Sequence, residues 1–285
     1  MEIVEVVKKY ISFPGISADP NAKPAILETA NYLLDLLTQA GCKTELLETA
    51  GNPVVVARYN AERSDLPHVV VYGHYDVQPV DPIELWKTPP FEATIKDGKI
   101  YGRGTADDRG PSAVPIVAFA NLLAKNPNLP LRVTFTLEGE EEIGSQNFPA
   151  FIQAHKDELS SADFVVLSDT ESISPTQMAI TIGLRGIMGL ELELTGPNSD
   201  LHSGLHGGAV YNPCQALAEI CASLHDSENR VTVPGFYDGV GVPAAWEREE
   251  LARIGQSDVA YAQFLGVEAL HCLPGYNAAE SIRFM

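Results

Sequence analysis

The sequence has little positive charge, few cysteines and no long apolar run. It carries 19 lysines and arginines against 38 aspartates and glutamates, which gives a formal net charge of −19 over 285 residues. Nucleic-acid phosphates and anionic membrane surfaces attract basic side chains, so this balance argues against both as partners. No apolar stretch reaches the roughly 18 residues that a transmembrane helix needs. The first fifteen residues mix charge into every turn and therefore have no signal-peptide core.

The four cysteines are spread along the chain and form no CxxC pair: Cys42, Cys214, Cys221 and Cys272. In a chain of this length they do not suggest a disulfide framework, and a reducing, cytoplasmic compartment is the simplest interpretation. Hydrophobic residues make up 45% and charged residues 20%, which is ordinary for a folded protein. The length suggests about two domains.

Helical and strand patterns alternate in the first part of the sequence. Hydrophobic spacing predicts helices over Glu2–Ser12, Lys23–Ala40, Pro111–Lys125 and Ser145–His155. Runs rich in β-branched residues predict strands over Thr44–Leu47, Val54–Tyr59, His68–Tyr72, Leu131–Leu137 and Asp163–Leu167. An Asp97-Gly98 turn predicts a hairpin between Phe91–Lys96 and Lys99–Tyr101. This alternation predicts an α/β layer with a largely parallel sheet.

The pattern of predicted strands and helices changes near Gln177. Apolar runs predict two strands, Met178–Ile182 and Ile187–Leu194, and helical spacing predicts Pro213–Leu224 and Trp246–Ile254. We therefore expect a domain boundary near Arg185, with one domain over residues 1–184 and a second over residues 185–285.

Two short motifs lie directly after or before predicted elements of the α/β layer. GHYDVQP follows a strand, where His74 could ligate a metal and Asp76 could hold its ring from behind. GRGTADDRGP precedes a helix, and its glycines would let Asp107 approach a cation. Taken alone, the first motif is more typical of a solvated loop. The second is equally compatible with a glycine-rich turn whose aspartate caps the helix.

Two further acidic motifs follow strands. EGEEEIGS contains four carboxylates within five residues, among them Glu141 and Glu142, and Ser168-Asp169 follows the next strand. A solvated loop or a polar turn would explain each motif by itself. Together the four motifs place one histidine and several carboxylates at consecutive strand ends, a donor set that suits zinc, manganese or cobalt. Two such ions would activate a bridging water, with a spare carboxylate as general base.

The order and spacing of GHYDVQP, GRGTADDRGP, EGEEEIGS and LSDT resemble the di-zinc exopeptidase and amidohydrolase family. That family includes aminoacylases, desuccinylases, glutamate carboxypeptidases and cytosolic dipeptidases. The VQP after the His-x-Asp, the WKTPPFEATIKDGKIYGRG stretch, GLRG and DLHSGLHGG are most similar to its cytosolic nonspecific dipeptidase and carnosinase-like branch. The resemblance implies a zinc-exopeptidase-like α/β catalytic layer and an inserted α+β lid domain that also carries the dimer contact.

The resemblance implies a role for each acidic motif. Four residues are implied as ligands of two divalent ions: His74, Asp107, Glu142 and Asp169. Zinc is favoured, with manganese or cobalt as alternatives, and Asp107 is implied to bridge both ions. Asp76 is implied to orient His74, and Glu141 to be the general base that deprotonates the metal-bridging water. The family also implies a non-proline cis peptide between Asp107 and Asp108.

The lid and the chain beyond it carry further expectations. His202 matches a lid histidine that reaches the partner subunit's active site and stabilises the oxyanion, so a homodimer through the lid is implied. In the family, the chain returns from the lid to complete the catalytic layer and supply a last metal-binding histidine. That returning half is absent from these 285 residues. We interpret His271 as structural and expect the sequence to be a fragment of a longer protein.

Three functions remain open at this stage. The leading hypothesis is metal-dependent hydrolysis of small dipeptides, with Glu141 as the general base. An N-acyl amino-acid amidohydrolase is an alternative, because both reactions hydrolyse an amide at the same kind of centre. A non-catalytic dimerising or metal-binding fragment is the third. Retention of Glu141 beside every N-terminal ligand favours catalysis over this last hypothesis.

Overall fold

The computed structural model describes residues 1–170, 172, 174, 176, 178–181, 183–255 and 257–284. The chain divides into two compact units, Met1–Thr181 and Ile182–Met285, which we call the first and second unit. This division falls close to the boundary predicted near Arg185. Among the described residues, no helix has both the length and the apolar character needed to cross a bilayer.

The first unit contains five helices and seven strands in its described residues. The helices are α1 (Ile3–Ile11), α2 (Lys23–Gln39), α3 (Arg109–Lys125), α4 (Phe148–Ala154) and α5 (Lys156–Leu159). The strands are β1 (Lys43–Leu47), β2 (Val54–Tyr59), β3 (His68–His74), β4 (Thr94–Lys96), β5 (Lys99–Tyr101), β6 (Arg132–Glu138) and β7 (Phe164–Leu167). Short 3₁₀ turns cover Pro20–Ala22, Ile83–Leu85 and Glu141–Ile143. The predicted α/β class is confirmed.

The main sheet has the strand order β1-β2-β6-β3-β7. Strands β6, β3 and β7 run parallel, with His74 opposite Glu138 and Tyr72 opposite Leu167. Strands β1 and β2 are antiparallel to each other, and β2 is antiparallel to β6. The short connection between β1 and β2 forces an antiparallel pair, because a parallel pair needs a longer crossover. The sheet is therefore mixed, and the parallel arrangement holds for the strands that lead into the acidic motifs.

The predicted hairpin forms the second sheet of this unit. Strands β4 and β5 pair antiparallel around Asp97 and Gly98, whose φ angles are 51° and 73°. Positive φ at both central residues is the requirement of a type I′ turn, which explains the Asp-Gly pair.

The core of the first unit lies between the sheet and helices α1, α2 and α3. Residues spaced by three or four positions along each helix face the sheet and are buried, including Tyr10, Ile11, Leu33, Leu37 and Ile116. Phe135 of β6 is fully buried among them. Burial of each large apolar side chain contributes roughly 1.5–3 kcal/mol. A smaller cluster around Val54, Val56 and Phe151 covers the other face.

The second unit contains five short helices and long irregular stretches in its described residues. The helices are α6 (Ser203–His206), α7 (Pro213–Ser223), α8 (Ala245–Ile254), α9 (Asp258–Leu265) and α10 (Ala278–Phe284). Helices α7 and α8 confirm the predicted Pro213–Leu224 and Trp246–Ile254. Helices α9 and α10 were not predicted. An ion pair between Arg248 and Glu280, 2.8 Å apart, joins α8 to α10.

The strand predicted over Ile187–Leu194 is wrong. Its residues form no strand, and Ile187 and Leu190 are 101% and 77% exposed. A strand requires hydrogen-bond partners along its edge, and within the described part of the chain no segment pairs with this one. The strand predicted over Met178–Ile182 is likewise absent from its described positions 178–181, and Ile182 itself lies outside the described residues.

Candidate metal centre

His74 is the last residue of β3, and the approach of helix α3 fixes its backbone. A Cβ atom on the preceding Gly73 would lie 2.9 Å from Ser112 Cβ and 3.0 Å from Asp108 Oδ2. Glycine is therefore needed for the start of α3 to pack against the end of β3. The amide N–H of His74 donates to Asp108 Oδ2 at 3.1 Å. Asp108 was not predicted as a site residue.

The His74 ring is fully buried and has one nitrogen held from behind. Nδ1 lies 3.3 Å from Asp76 Oδ1 and 3.2 Å from the Asp76 carbonyl oxygen. Both are acceptors, so we assign the proton of the neutral ring to Nδ1. The other nitrogen, Nε2, lies 3.0 Å from Asp107 Oδ1, 3.7 Å from Asp169 Oδ2 and 4.0 Å from Glu141 Oε2. With a metal ion bound, Nε2 would supply the lone pair that ligates the ion.

Asp76 also binds the backbone of the acidic turn after β6. Its Oδ1 accepts the amide N–H of Glu141 at 3.2 Å, and its Oδ2 accepts that of Glu142 at 3.1 Å. Asp76 is fully buried. One side chain therefore sets both the orientation of His74 and the position of the two glutamates.

Two overlapping groups of residues could each hold a metal ion, because within each group the donor atoms lie within 4.8 Å of one another. One group is His74, Asp107 and Glu142, and the other is His74, Asp108 and Asp169. Within the described ranges, no lysine or arginine forms an ion pair with these carboxylates. A cluster of several carboxylates and one imidazole, without a basic partner, is the donor chemistry that divalent cations satisfy.

The pKa values at this centre reflect both burial and the negative charge that gathers there. Burial raises the pKa of Glu141, Glu142 and Asp169, and it raises the pKa of Asp108 to about 7. For His74, burial opposes the charged form, but nearby carboxylates including Asp76 and Asp108 outweigh it and raise the pKa to about 10. A bound cation favours ionised carboxylates and a neutral imidazole. The positive charge of a metal ion would therefore offset the repulsion among these carboxylates.

The acidic run after β6 divides into residues with different surroundings. Glu138 is buried and accepts hydrogen bonds from Tyr72 Oη at 2.7 Å and Ser145 Oγ at 2.9 Å. Glu140 accepts hydrogen bonds from the backbone N–H groups of Asn52 and Asn147. Glu141 and Glu142 remain for the centre. Hydrogen bonding of the first two carboxylates explains how the chain tolerates so many acidic residues together.

Arg109 is a residue that sequence reasoning missed. Its guanidinium is fully buried and donates to the carbonyl oxygens of Tyr75 and Tyr10, each at 3.0 Å, and to that of Phe13. Burial lowers its pKa to about 10. Arg109 thus ties the end of α1 to the loop that carries Asp76. An arginine at the start of an apolar helix was the only signal available.

The first unit brings six of the predicted site residues together: His74, Asp76, Asp107, Glu141, Glu142 and Asp169. The peptide between Asp107 and Asp108 is cis, which confirms that prediction. His202 belongs to the second unit, where its Nδ1 accepts the amide N–H of Gly204 at 3.0 Å at the start of α6. The roles of these residues stay predictions.

Known proteins resemble the chain over most of its length. A family model described as peptidase family M20/M25/M40 matches residues 70–285. The Cys-Gly metallodipeptidase dug1 of Schizosaccharomyces pombe is 31% identical over 251 residues, covering 84% of this chain and 52% of that protein. The Beta-Ala-His dipeptidase of Homo sapiens is 32% identical over 253 residues, covering 84% and 50%.

The fold of this chain is also similar to that of a solved structure. The M20 family metallo-carboxypeptidase Sso-CP2 from Sulfolobus solfataricus aligns with a TM-score of 0.78 at 35% identity, over 99% of this chain and 62% of that one. The chain spans about half the length of the curated relatives it matches. With the family model matching about three quarters of its residues, the chain belongs to peptidase family M20/M25/M40.

Proposed function

We propose that the protein carries the centre of a metal-dependent dipeptidase, which hydrolyses the amide bond of small dipeptides. The observation that carries the proposal is the arrangement around His74. A buried imidazole faces the carboxylates of Asp107 and Asp169, and Glu141 lies beside them with no hydrogen bond to its side chain among the described residues. An acid at such a centre without a structural partner is available for proton transfer.

In this proposal, two divalent ions would be held by His74, Asp107, Glu142 and Asp169, with Asp107 as the ligand that both ions would share. Zinc is favoured, and the oxygen and imidazole donors also suit manganese and cobalt. When bound, such ions lower the pKa of water and polarise a carbonyl oxygen. Asp76 keeps the His74 ring in the tautomer that leaves Nε2 free to bind.

Glu141 acts as general base and then as general acid. It takes a proton from the attacking water as the water oxygen forms a bond to the peptide carbonyl carbon. It returns the proton to the amine nitrogen as the C–N bond breaks, which releases two amino acids. Burial raises the pKa of Glu141 towards neutrality, the direction that favours proton transfer in both senses.

The names of the relatives support the substrate class, and the resemblance of the DLHSGLHGG motif supports the assembly. Two relatives are named as dipeptidases, which supports a dipeptide rather than an N-acyl amino acid. We further propose a homodimer in which His202 stabilises the oxyanion at the partner's centre. This chain spans about half of those relatives, so the activity is proposed for the whole protein.

The experiment compares the wild-type chain with Glu141→Gln after loading with zinc. We expect the wild type to hydrolyse Cys-Gly and β-Ala-His faster than N-acetyl amino acids. Glu141→Gln should lower kcat by about 10²–10⁴-fold, because it cannot accept a proton. Bound zinc, measured by elemental analysis, should stay unchanged.

The matched control is Glu84→Gln, which replaces an exposed glutamate in the same unit. Normal activity of Glu141→Gln would refute the role of the base. Preference for N-acetyl amino acids would favour the amidohydrolase. Zinc binding without any hydrolysis by the wild type would favour the non-catalytic fragment.

A further inference from the structure

The loop after β3 forms hydrogen bonds with the side chain of Glu142 but not with that of the adjacent Glu141 in the described residues. The backbone N–H of Gln78 donates to Glu142 Oε1 at 3.2 Å, and the side-chain Nε2 of Gln78 donates to Glu142 Oε2 at 2.8 Å. The same Nε2 also donates to the Glu142 carbonyl oxygen at 3.2 Å. The Glu141 side chain receives no such bond from the described residues. One glutamate is therefore held at both oxygens, and its neighbour is free.

The backbone that carries Gln78 is itself fixed. Val77 is fully buried, its amide N–H donates to the Gly15 carbonyl oxygen at 3.1 Å, and it forms a β-bridge with Ile16. Two residues before Gln78, Asp76 accepts the backbone N–H groups of Glu141 and Glu142. The loop 76–78 thus fixes the peptide groups through Asp76 and the Glu142 carboxylate through Gln78.

We propose that Gln78 is a positioning residue that fixes the Glu142 carboxylate as a metal ligand and leaves Glu141 for proton transfer. This inference rests on the proposed metal-dependent function. A carboxylate has about four lone-pair sites, so two accepted hydrogen bonds leave room for a metal. Residues that hold a ligand in place reduce the side-chain freedom that is lost when the ion binds.

The chemical type of Gln78 suits this task. Its amide donates hydrogen bonds without carrying a charge, so Glu142 keeps its full negative charge for the ion. A lysine or arginine in this place would form an ion pair with Glu142 and repel a cation. Because Gln78 is exposed and water competes for its hydrogen bonds, we expect an effect at the lower end of the range for such residues.

The test is Gln78→Leu, which removes the Nε2 donor and keeps the backbone N–H. Zinc stoichiometry and affinity are measured on the full chain by competition with a chromophoric chelator. We expect binding of one zinc ion to weaken by about tenfold. Thermal unfolding of the metal-free protein should stay unchanged. Gln78→Met, an unbranched replacement, provides the same comparison if the leucine variant does not fold.

The matched control is Gln146→Leu, the same substitution at an exposed glutamine near the same turn. Gln146 donates to the Ile143 carbonyl oxygen and to no carboxylate, so its loss should leave zinc affinity unchanged. Wild-type affinity in both Gln78 variants would overturn the inference while the metal centre stands. The inference would also be overturned if Gln78→Leu lowered the thermal stability of the metal-free protein along with its zinc affinity, because Gln78 would then be structural. A wild type that binds no zinc would overturn the metal centre and this inference together.

Discussion

The two units of the chain differ in how they bury apolar side chains. In the first unit, the sheet and three helices enclose a continuous cluster that includes Leu33 and Phe135. In the described residues of the second unit, the buried apolar side chains are Pro243, Leu273 and Ala278. Leu184 and Ile187 are 82% and 101% exposed. Similar apolar runs predicted strands in both units. The comparison shows that such a run becomes a strand only where another strand can pair with it through backbone hydrogen bonds.

The largest expected difference between the units comes from removing a phenyl ring. Phe135→Ala deletes a fully buried ring that packs edge-on against Phe119, with centroids 5.6 Å apart, and should lower the free energy of unfolding by about 3–5 kcal/mol. Phe264→Ala makes the same change at a 75% exposed ring in α9 and should change it by less than about 0.5 kcal/mol.

Urea denaturation measures both changes. Trp86 lies in the first unit and Trp246 in the second, so variants with a single tryptophan report each unit separately. Equal losses from the two substitutions would contradict the contrast between the units.

A smaller difference is expected from adding one methyl group. A Cβ atom on Gly139 would lie 2.5 Å from the Tyr75 ring, which is fully buried and donates through Oη to the Pro53 carbonyl oxygen. Gly139→Ala should therefore cost about 1–3 kcal/mol of unfolding free energy. Gly189→Ala in the second unit meets no atom within 4 Å and should have little effect. Thermal denaturation followed by circular dichroism tests the pair, and a stable Gly139→Ala would show that Tyr75 can move.

The smallest expected difference concerns two ion pairs. Arg58 binds Glu158 through two hydrogen bonds, 2.6 and 2.9 Å long, and the bond from Arg58 holds the pKa of Glu158 below its ordinary value. A lowered folded-state pKa adds stability above the unfolded-state pKa of about 4.3, and this stability disappears as the pH falls further. Glu158→Gln should thus cost about 1–2 kcal/mol at pH 7 and progressively less below pH 4.

The control for this prediction is Glu250→Gln, which breaks the exposed pair between Glu250 and Arg253 on α8. It should give no measurable change at either pH, because water screens exposed pairs. Urea denaturation at pH 7 and at pH 3.5 provides the measurement. A pH-independent loss for Glu158→Gln would mean that its packing, not its charge, stabilises the unit.

The sequence predicted the elements whose cause is local. The Asp97-Gly98 turn requires positive φ, and the run from Val54 to Tyr59 has the β-branched residues of a buried strand. The failure at Ile187–Leu194 has a non-local cause, because pairing depends on another segment. The α/β class followed from the alternation of elements, whereas the antiparallel pairing of β2 with β6 depends on which strands become neighbours.

The same limit applies to the candidate site. His74 and Glu141 could be identified because they lie at or just after the ends of two strands that lie side by side. Gln78 and Arg109 could not, because their partners are 64 and up to 99 positions away in the chain. The acidic run offered no means to separate Glu140, which binds Asn52, from the glutamates that reach His74.

The Asp76 contacts have a consequence for the kinetics of folding. His74 meets Asp107 across 33 positions, and Asp76 meets Glu141 across 65, so the centre assembles only when long loops close. We expect loop closure of this kind to be slow and to occur in the late stages of folding. A ligand of such a late-forming centre stabilises the native state more than the folding transition state. It therefore lengthens the lifetime of the folded protein by slowing unfolding, and it leaves the rate of folding almost unchanged.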